Sequence, residues 1–176
     1  MVPCCLGEKS MDEFFEIVDA ADRVIGRALR SECHGNPQLI HRVAHVLVFD
    51  RQGRLLLQKR SMNKDVQPGK WDTSVGGHLD PGETYAAAAK REMFEELGIA
   101  DLPLTFLYAY PMRNDFESEN VATFTTCHDG PFLFSVSEID EVRFWTAQEI
   151  DAALSSGILT PNFEDEWARW QRHQSL

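Results

Sequence analysis

Residues 76–99, GGHLDPGETYAAAAKREMFEELGI, constrain the fold more than any other stretch of the chain. Pro81-Gly82 forces a turn, and the spacing predicts a helix that begins near Thr84. At 100° per residue Ala86, Ala89, Met93 and Leu97 share one stripe, the expected buried face. Glu92, Glu95 and Glu96 occupy an arc of roughly 100° beside it. Like charges three and four apart each cost about 0.2 to 0.5 kcal/mol. That cost is small, and a solvated acidic face is a common structural feature, so charge alone leaves both readings open. The flanks favour chemistry. Gly76-Gly77 precede the turn, and glycine lets backbone carbonyls come close to a ligand. Three carboxylates and a carbonyl make a hard oxygen cage of the kind magnesium and manganese prefer. Phosphate oxygens complete such a shell, and a metal-bound water becomes a nucleophile.

The rest of the chain frames this segment. Its 176 residues make one domain of ordinary size, and 11 phenylalanines and 4 tryptophans argue against disorder. Acids outnumber bases 28 to 17, a net charge of −11, which excludes a nucleic-acid backbone as a scaffold-scale partner. Cys4, Cys5, Cys33 and Cys127 fit neither a metal knuckle nor a disulfide framework. No window approaches the ~20 apolar residues of a membrane span, and the first residues lack a secretory pattern. A cytoplasmic protein is the expectation. A lipid on Cys4-Cys5 is the weaker reading against incidental tail cysteines.

Strands and helices are expected in alternation. Residues 14–29 read as two short strands around an Asp/Ala turn. HRVAHVLVFD and RLLLQKR read as a hairpin across Arg51-Gln52-Gly53, without clean alternation, as suits strands covered on both faces. SMNKDVQPGKWDTSV reads as a long polar connection. LTFLYAYPM, VATFTTCHD and VRFWT read as strands, with DFESEN as a turn. TAQEIDAALSSG reads as a short helix with a Thr146–Glu149 capping box, stopped by Gly157. TPNFEDEWARWQRH reads as a terminal helix. The result is an α/β protein, a mixed sheet with helices on both faces. Residues 1–12 are expected as a flexible tail and 13–176 as a single domain.

Gly77, Glu83 and the run Arg91-Glu92-Met93-Phe94-Glu95-Glu96-Leu97-Gly98-Ile99 together resemble the Nudix box at the family's spacing. Met93 is a mild departure where an aliphatic residue is commoner. The resemblance implies an α/β/α sandwich around a mixed β-sheet. It implies Glu92, Glu95 and Glu96 as ligands of Mg2+ or Mn2+, joined by the carbonyl of Gly76. Glu92 or Glu95 is implied as the base on the attacking water, and Arg91 as an orienter that pairs with box glutamates, Glu83 included. For Arg91 the plainer alternative is an ordinary ion pair with Glu95 one turn away.

From about Phe15 to Trp170, more weakly after Gly98, the chain also resembles the type 1 isopentenyl-diphosphate isomerases, which share the Nudix fold. His34, His41, His78, Glu117 and Glu119 fall where those enzymes bind one metal, with zinc, manganese or magnesium suiting that donor mix. Nudix hydrolases often take a glutamate from outside the box as metal ligand or base, and Glu119 is favoured as that ligand. Arg60 and Lys64 fall where the isomerases grip the diphosphate, and Trp167 near a tryptophan that shields a carbocation. The departure is Gly76, which stands at the place of the isomerase's proton-moving cysteine. Glycine has no side chain with which to move a proton.

Three functions are in contention. The first is a metal-dependent hydrolase of a nucleoside diphosphate derivative or related X-diphosphate, with a small-molecule substrate as its partner. The second is the isomerase, which Gly76 disfavours. The third is a non-catalytic Nudix-fold binding module, which the intact set of acids disfavours. Substrate specificity is expected from residues 61–75, 109–120 and the terminal helix. Tyr108, Tyr110, Phe116, Phe163 and Trp167 are candidates to stack on a ligand, with core packing as the alternative. Oligomeric state is not legible, and a homodimer stays open.

Overall fold

The computed structural model describes residues 13–175. The expected tail, 1–12, and with it Cys4 and Cys5, lies outside them. The first two strands, β1 (Phe14–Val18) and β2 (Val24–Leu29), form a separate antiparallel hairpin, followed by the single turn of α1 (Arg30–Cys33). Asp22 sits at the hairpin turn with φ 60. Its carboxylate accepts from the Tyr85 hydroxyl and from Asn120 Nδ2, which hooks the hairpin onto the main body. Phe15, Ile17, Ala28 and Cys33 give it a small core of its own.

The main sheet has seven strands. They are β3 (Ile40–Phe49), β4 (Leu55–Arg60), β5 (Trp71–Asp72), β6 (Val75–His78), β7 (Thr105–Arg113), β8 (Ser118–Cys127) and β9 (Ile139–Trp145). β3 and β8 pair in parallel from Ile40↔Ser118 to Phe49↔Cys127, and the other pairings are antiparallel, so the sheet is mixed.

The expected hairpin of β3 and β4 exists, but the strands share only the register pair Phe49↔Leu55 before they part. Asp50 ties the turn: its Oδ1 accepts from the amides of Gln52 and Arg54, and its Oδ2 from Arg54 Nε. Beyond the turn, β4 turns to β9 and β3 turns to β6. Ser74 fills the gap. Its hydroxyl accepts from Val48 N–H and donates to Leu56 O. This split opens the sheet where the glycines of β6 lie. The sequence pattern showed Gly76, Gly77 and His78 only as the stretch before the turn. They belong to a strand, because β3 offers its free edge to them.

Helix α2 (Tyr85–Leu97) covers one face, and α3 (Ala147–Ala153) with α4 (Pro161–Gln174) covers the other. Val46, Val48 and Leu56 point to α2, whereas Leu47, Leu55 and Leu57 point to α3 and α4. Both faces are buried, which explains the unbroken apolar runs. Each helix starts on its expected threonine: Thr84, Thr146 and Thr160 each accept an amide of the first turn. α3 ends at Ala153, one turn earlier than expected, and Gly157 (φ 85) belongs to the turn after it. In α2 the buried stripe is rotated from its expected place. Ala86 is exposed, and Ala88, Ala89, Glu92, Met93 and Leu97 are buried. The stripe turns because the helix packs over β6, where Gly77 leaves room for the Glu92 carboxylate. The expected DFESEN turn is shorter than supposed, since β8 begins at Ser118 and carries Glu119.

Candidate active site

The box glutamates start from α2 and divide three ways. Glu92 is buried against Gly77, and Arg91 Nη1 donates to its Oε1 at 2.8 Å. Glu95 is exposed one turn on, with its Oε2 3.4 Å from Arg91 Nη1. Glu96 reaches around β6, where its Oε2 accepts from Gln58 Nε2 at 3.0 Å and from the amide of Gly76 at 3.4 Å. Arg91 holds this region together. Its Nε and Nη2 fork onto the two oxygens of Glu83, both at 2.9 Å, and Nη2 also donates to His78 O. That is a bidentate contact and goes well beyond a simple pair with Glu95. Glu83 in turn accepts the amide of Asp80 and so pins the turn that leads into α2. The Arg91 contact holds the Glu83 carboxyl below the usual carboxylate range.

On the opposite face of β6 lies a cleft of about 140 Å3. Glu96, Gly76, Gly77, Glu119, Arg60 and Lys64 all line it, although they come from five different elements or loops. Glu92, Glu95, Arg91 and Glu83 lie on the α2 side and do not line it. Arg60 Nη1 pairs with Asp72 Oδ2 at 3.2 Å and its Nε donates to Val66 O, while Lys64 Nζ pairs with Glu138 Oε2 at 2.8 Å. Asn162, in the first turn of α4, closes another side. The expected specificity segments therefore each contribute a wall: Lys64, Asp72 and Thr73 from 61–75, Glu119 from 109–120, and Asn162 from the terminal helix.

At one end of the cleft three imidazoles converge. The ligating atoms of His34, His41 and His78 lie within 4.8 Å of one another, as do those of His41, Glu117 and Glu119. The Nε2 atoms of all three histidines are buried and make no hydrogen bond. His41 and His78 approach Glu119 Oε1 at 3.4 and 3.6 Å without the alignment of a hydrogen bond. Burial, with Arg30 and the other imidazoles, pushes His34 down to about 4, so it is neutral at pH 7. Burial and the neighbouring Glu119 charge push Glu117 up to about 7. Buried nitrogens without partners, aimed at each other and at two carboxylates, fit a divalent cation. Phe15 of the hairpin stacks on the His41 and His78 rings at centroid distances of 5.0 and 4.2 Å, and the two imidazoles lie tilted to each other at 5.1 Å.

The aromatic expectations fare differently. Trp167 is buried in the α3/α4 core, and its Nε1 donates to Asp151, so it does not face the cleft. Phe163 belongs to the same core. Both point inward because the apolar face of α4 must cover Leu47, Leu55 and Leu57. Tyr108 and Tyr110 send their hydroxyls to Glu166, and Phe116 lies near His34. His45, Gln58, Asp72 and Glu138 line the cleft but carry no motif signal. Only tertiary contacts reveal them.

The NUDIX domain family model matches residues 39–170, three-quarters of the chain, and covers both the acids of α2 and the cleft. The chain belongs to the Nudix hydrolase family. A Nudix hydrolase of Yersinia pestis is 38% identical over 144 residues, 80% of this chain and 76% of that protein. An isopentenyl-diphosphate Delta-isomerase of Streptomyces avermitilis is 37% identical over 141 residues, 77% of this chain and 72% of the relative. The crystal structure of DR0079 from Deinococcus radiodurans superposes with a TM-score of 0.78 at 25% identity, covering 89% of this chain and 98% of that one. The Nudix fold, an α/β/α sandwich around a mixed sheet, is thus the fold of this chain. Nudix hydrolases generally use a divalent metal. Among the described residues no helix is long and apolar enough to cross a membrane.

Proposed function

We propose that this Nudix hydrolase cleaves a phosphoanhydride bond in a nucleoside diphosphate derivative or a related X-diphosphate. The observation that carries the reading is the meeting of Glu96 and Gly77, from the box, and of Gly76 just before it, with Arg60 and Lys64 in one cleft. Glu92, Glu95 and Glu96, with the carbonyl of Gly76, would hold Mg2+ or Mn2+. When bound, the metal would lower the pKa of a water and neutralise charge on the phosphoryl oxygens. Arg91 fixes Glu92 and Glu83. Glu92 or Glu95 accepts the proton of the attacking water. Arg60 and Lys64 take the diphosphate oxygens in exchange for Asp72 and Glu138. Glu119, beside His41 and His78, would be a ligand of a second cation at that end of the cleft.

The relative named as an isomerase supports a second reading, isomerisation of a prenyl diphosphate. Gly76 weighs against it, since no side chain there can pass a proton. One experiment separates the two. The wild-type protein is incubated with a panel of mixed diphosphates and with the five-carbon prenyl diphosphates, in 18O-water and in deuterium oxide, with Mg2+ or Mn2+. Incorporation of 18O into a phosphate product, lost by ~100-fold or more in Glu95→Gln and Glu96→Gln, supports hydrolysis. Deuterium entering the prenyl carbons at an enzymic rate, with no 18O product, overturns it.

A further inference from the structure

Strand β3 sets His45 in the floor of the cleft, directly across from Gly76 of β6. Opposed residues of an antiparallel pair project to the same face. The missing side chain at 76 therefore leaves the imidazole uncovered. A Cβ at that position would stand 3.2 Å from Cδ2 and 3.4 Å from Nε2, so this is the ring edge that borders the cleft.

The other edge is fixed. Nδ1 lies 3.0 Å from Oε2 of Glu166, a residue of α4 with no exposed surface. Glu166 also accepts from three hydroxyls: Tyr108 and Thr123 at Oε1, 2.7 and 3.0 Å away, and Tyr110 at Oε2, 2.5 Å away. Two donors sit on each oxygen, which fills the carboxylate. Glu166 touches no ligand space, and the His45 ring is where its network meets the cleft. A buried polar cluster of this kind is seldom a net gain in stability over apolar packing. Its neighbour two residues on along β3, Leu47, shows that this face accepts apolar side chains.

We propose that His45 is a substrate-binding residue whose Nε2 meets a phosphate oxygen in the space over Gly76, and that Glu166 is the residue that positions it. This rests on the diphosphate reading of the cleft. The other charged walls explain the need. Asp72, Glu96, Glu119 and Glu138 are acids, and Arg60 and Lys64 start from ion pairs with two of them. A donor in the floor, beside glycine, meets the anion from a direction that neither cation commands. Glu166 accepts from Nδ1–H and favours the imidazolium, in which Nε2–H is left to donate to the ligand, and the three hydroxyls keep the carboxylate from swinging.

The test uses imidodiphosphate, a diphosphate analogue that resists hydrolysis, in calorimetric titrations with Mg2+, and steady-state kinetics on the best substrate of the panel. His45→Ala is expected to weaken imidodiphosphate and raise KM about 10-fold, with a smaller effect on kcat. His45→Gln, whose amide falls near the place of Nε2, recovers part of that loss. Glu166→Gln weakens binding in the wild-type background and adds nothing in His45→Ala. If Glu166→Gln does not fold, Tyr110→Phe, which removes one hydroxyl from the carboxylate, takes its place in the cycle. Equal affinity of wild type and folded His45→Ala overturns the inference alone. A Glu166 effect that is the same with and without His45 assigns the pair to structure and also overturns it. A wild type that neither binds imidodiphosphate nor hydrolyses any panel member overturns the reading of the cleft and the inference together.

Discussion

Glu92 occupies the space that a side chain at Gly77 would need: a Cβ there would stand 2.0 Å from the Glu92 carboxyl carbon and 2.2 Å from Oε1. The glycine is thus required by close approach, since Gly77 lies in a paired strand. Gly77→Ala should push the Glu92 carboxylate off its Arg91 contact. Turnover is expected to fall by ~100-fold, with the Mg2+ needed for half-maximal activity rising, because a displaced ligand weakens the metal site. Metal titrations of activity check this. Unchanged turnover and unchanged Mg2+ dependence would show that Glu92 simply moves aside.

Arg60 donates to Asp72 Oδ2 and to Val66 O. Arg60→Ala should raise KM about 10-fold, the loss of one charge-assisted contact. Arg60→Lys should recover little, since an ammonium cannot fork onto two oxygens. Lys64→Ala, which also breaks the pair with Glu138, should raise KM less. Kinetics of the three variants decide. Wild-type constants in all of them would return both residues to the role of surface ion pairs.

The fork from Arg91 lowers the Glu83 pKa below its unfolded value of 4.5. A depressed carboxylate contributes stability that is fully present above the unfolded pKa and lost as pH falls through the folded one. Glu83→Gln should therefore cost on the order of 1 kcal/mol at pH 7, allowing for partial exposure. The gap to wild type should close as pH falls from 4.5 through the depressed folded-state pKa. Urea unfolding at pH 7, 5 and 3 measures it, and a gap independent of pH would mean that the amide disturbs packing.

The histidine cluster should bind a cation independently of the box. His78→Ala or His41→Ala is expected to lower Zn2+ or Mn2+ affinity by at least ~10-fold, as loss of a ligand does, and to abolish the rise in Tm that the metal gives wild type. Metal analysis after dialysis and thermal unfolding provide readouts that do not depend on turnover. Equal metal content in wild type and both variants would make the cluster a structural histidine stack around Phe15.

Residues close in sequence fixed what local physics can fix. Thr84, Thr146 and Thr160 begin their helices because a hydroxyl three residues upstream satisfies an amide wherever the helix goes. Arg91 and Glu83 were legible as partners only through the resemblance to the Nudix box, since Glu83 lies in the turn before α2. The spacing of Glu92, Glu95 and Glu96 placed them on one arc because residues three and four apart share a helix face. What the tertiary structure decided are matters of distance along the chain. Gly76 and Gly77 read only as the flank of a turn, and they became a strand because β3 parted from β4 and offered them an edge. Ala86 lost its buried place to Glu92 because the cavity in the facing strand, not the helix itself, chose the inward side. Trp167 went to the core because α4 had to cover Leu47, Leu55 and Leu57. His45 and Glu166 are 121 positions apart. Each alone reads as an ordinary residue of its strand or helix, and only packing α4 on the sheet brings the carboxylate to the ring.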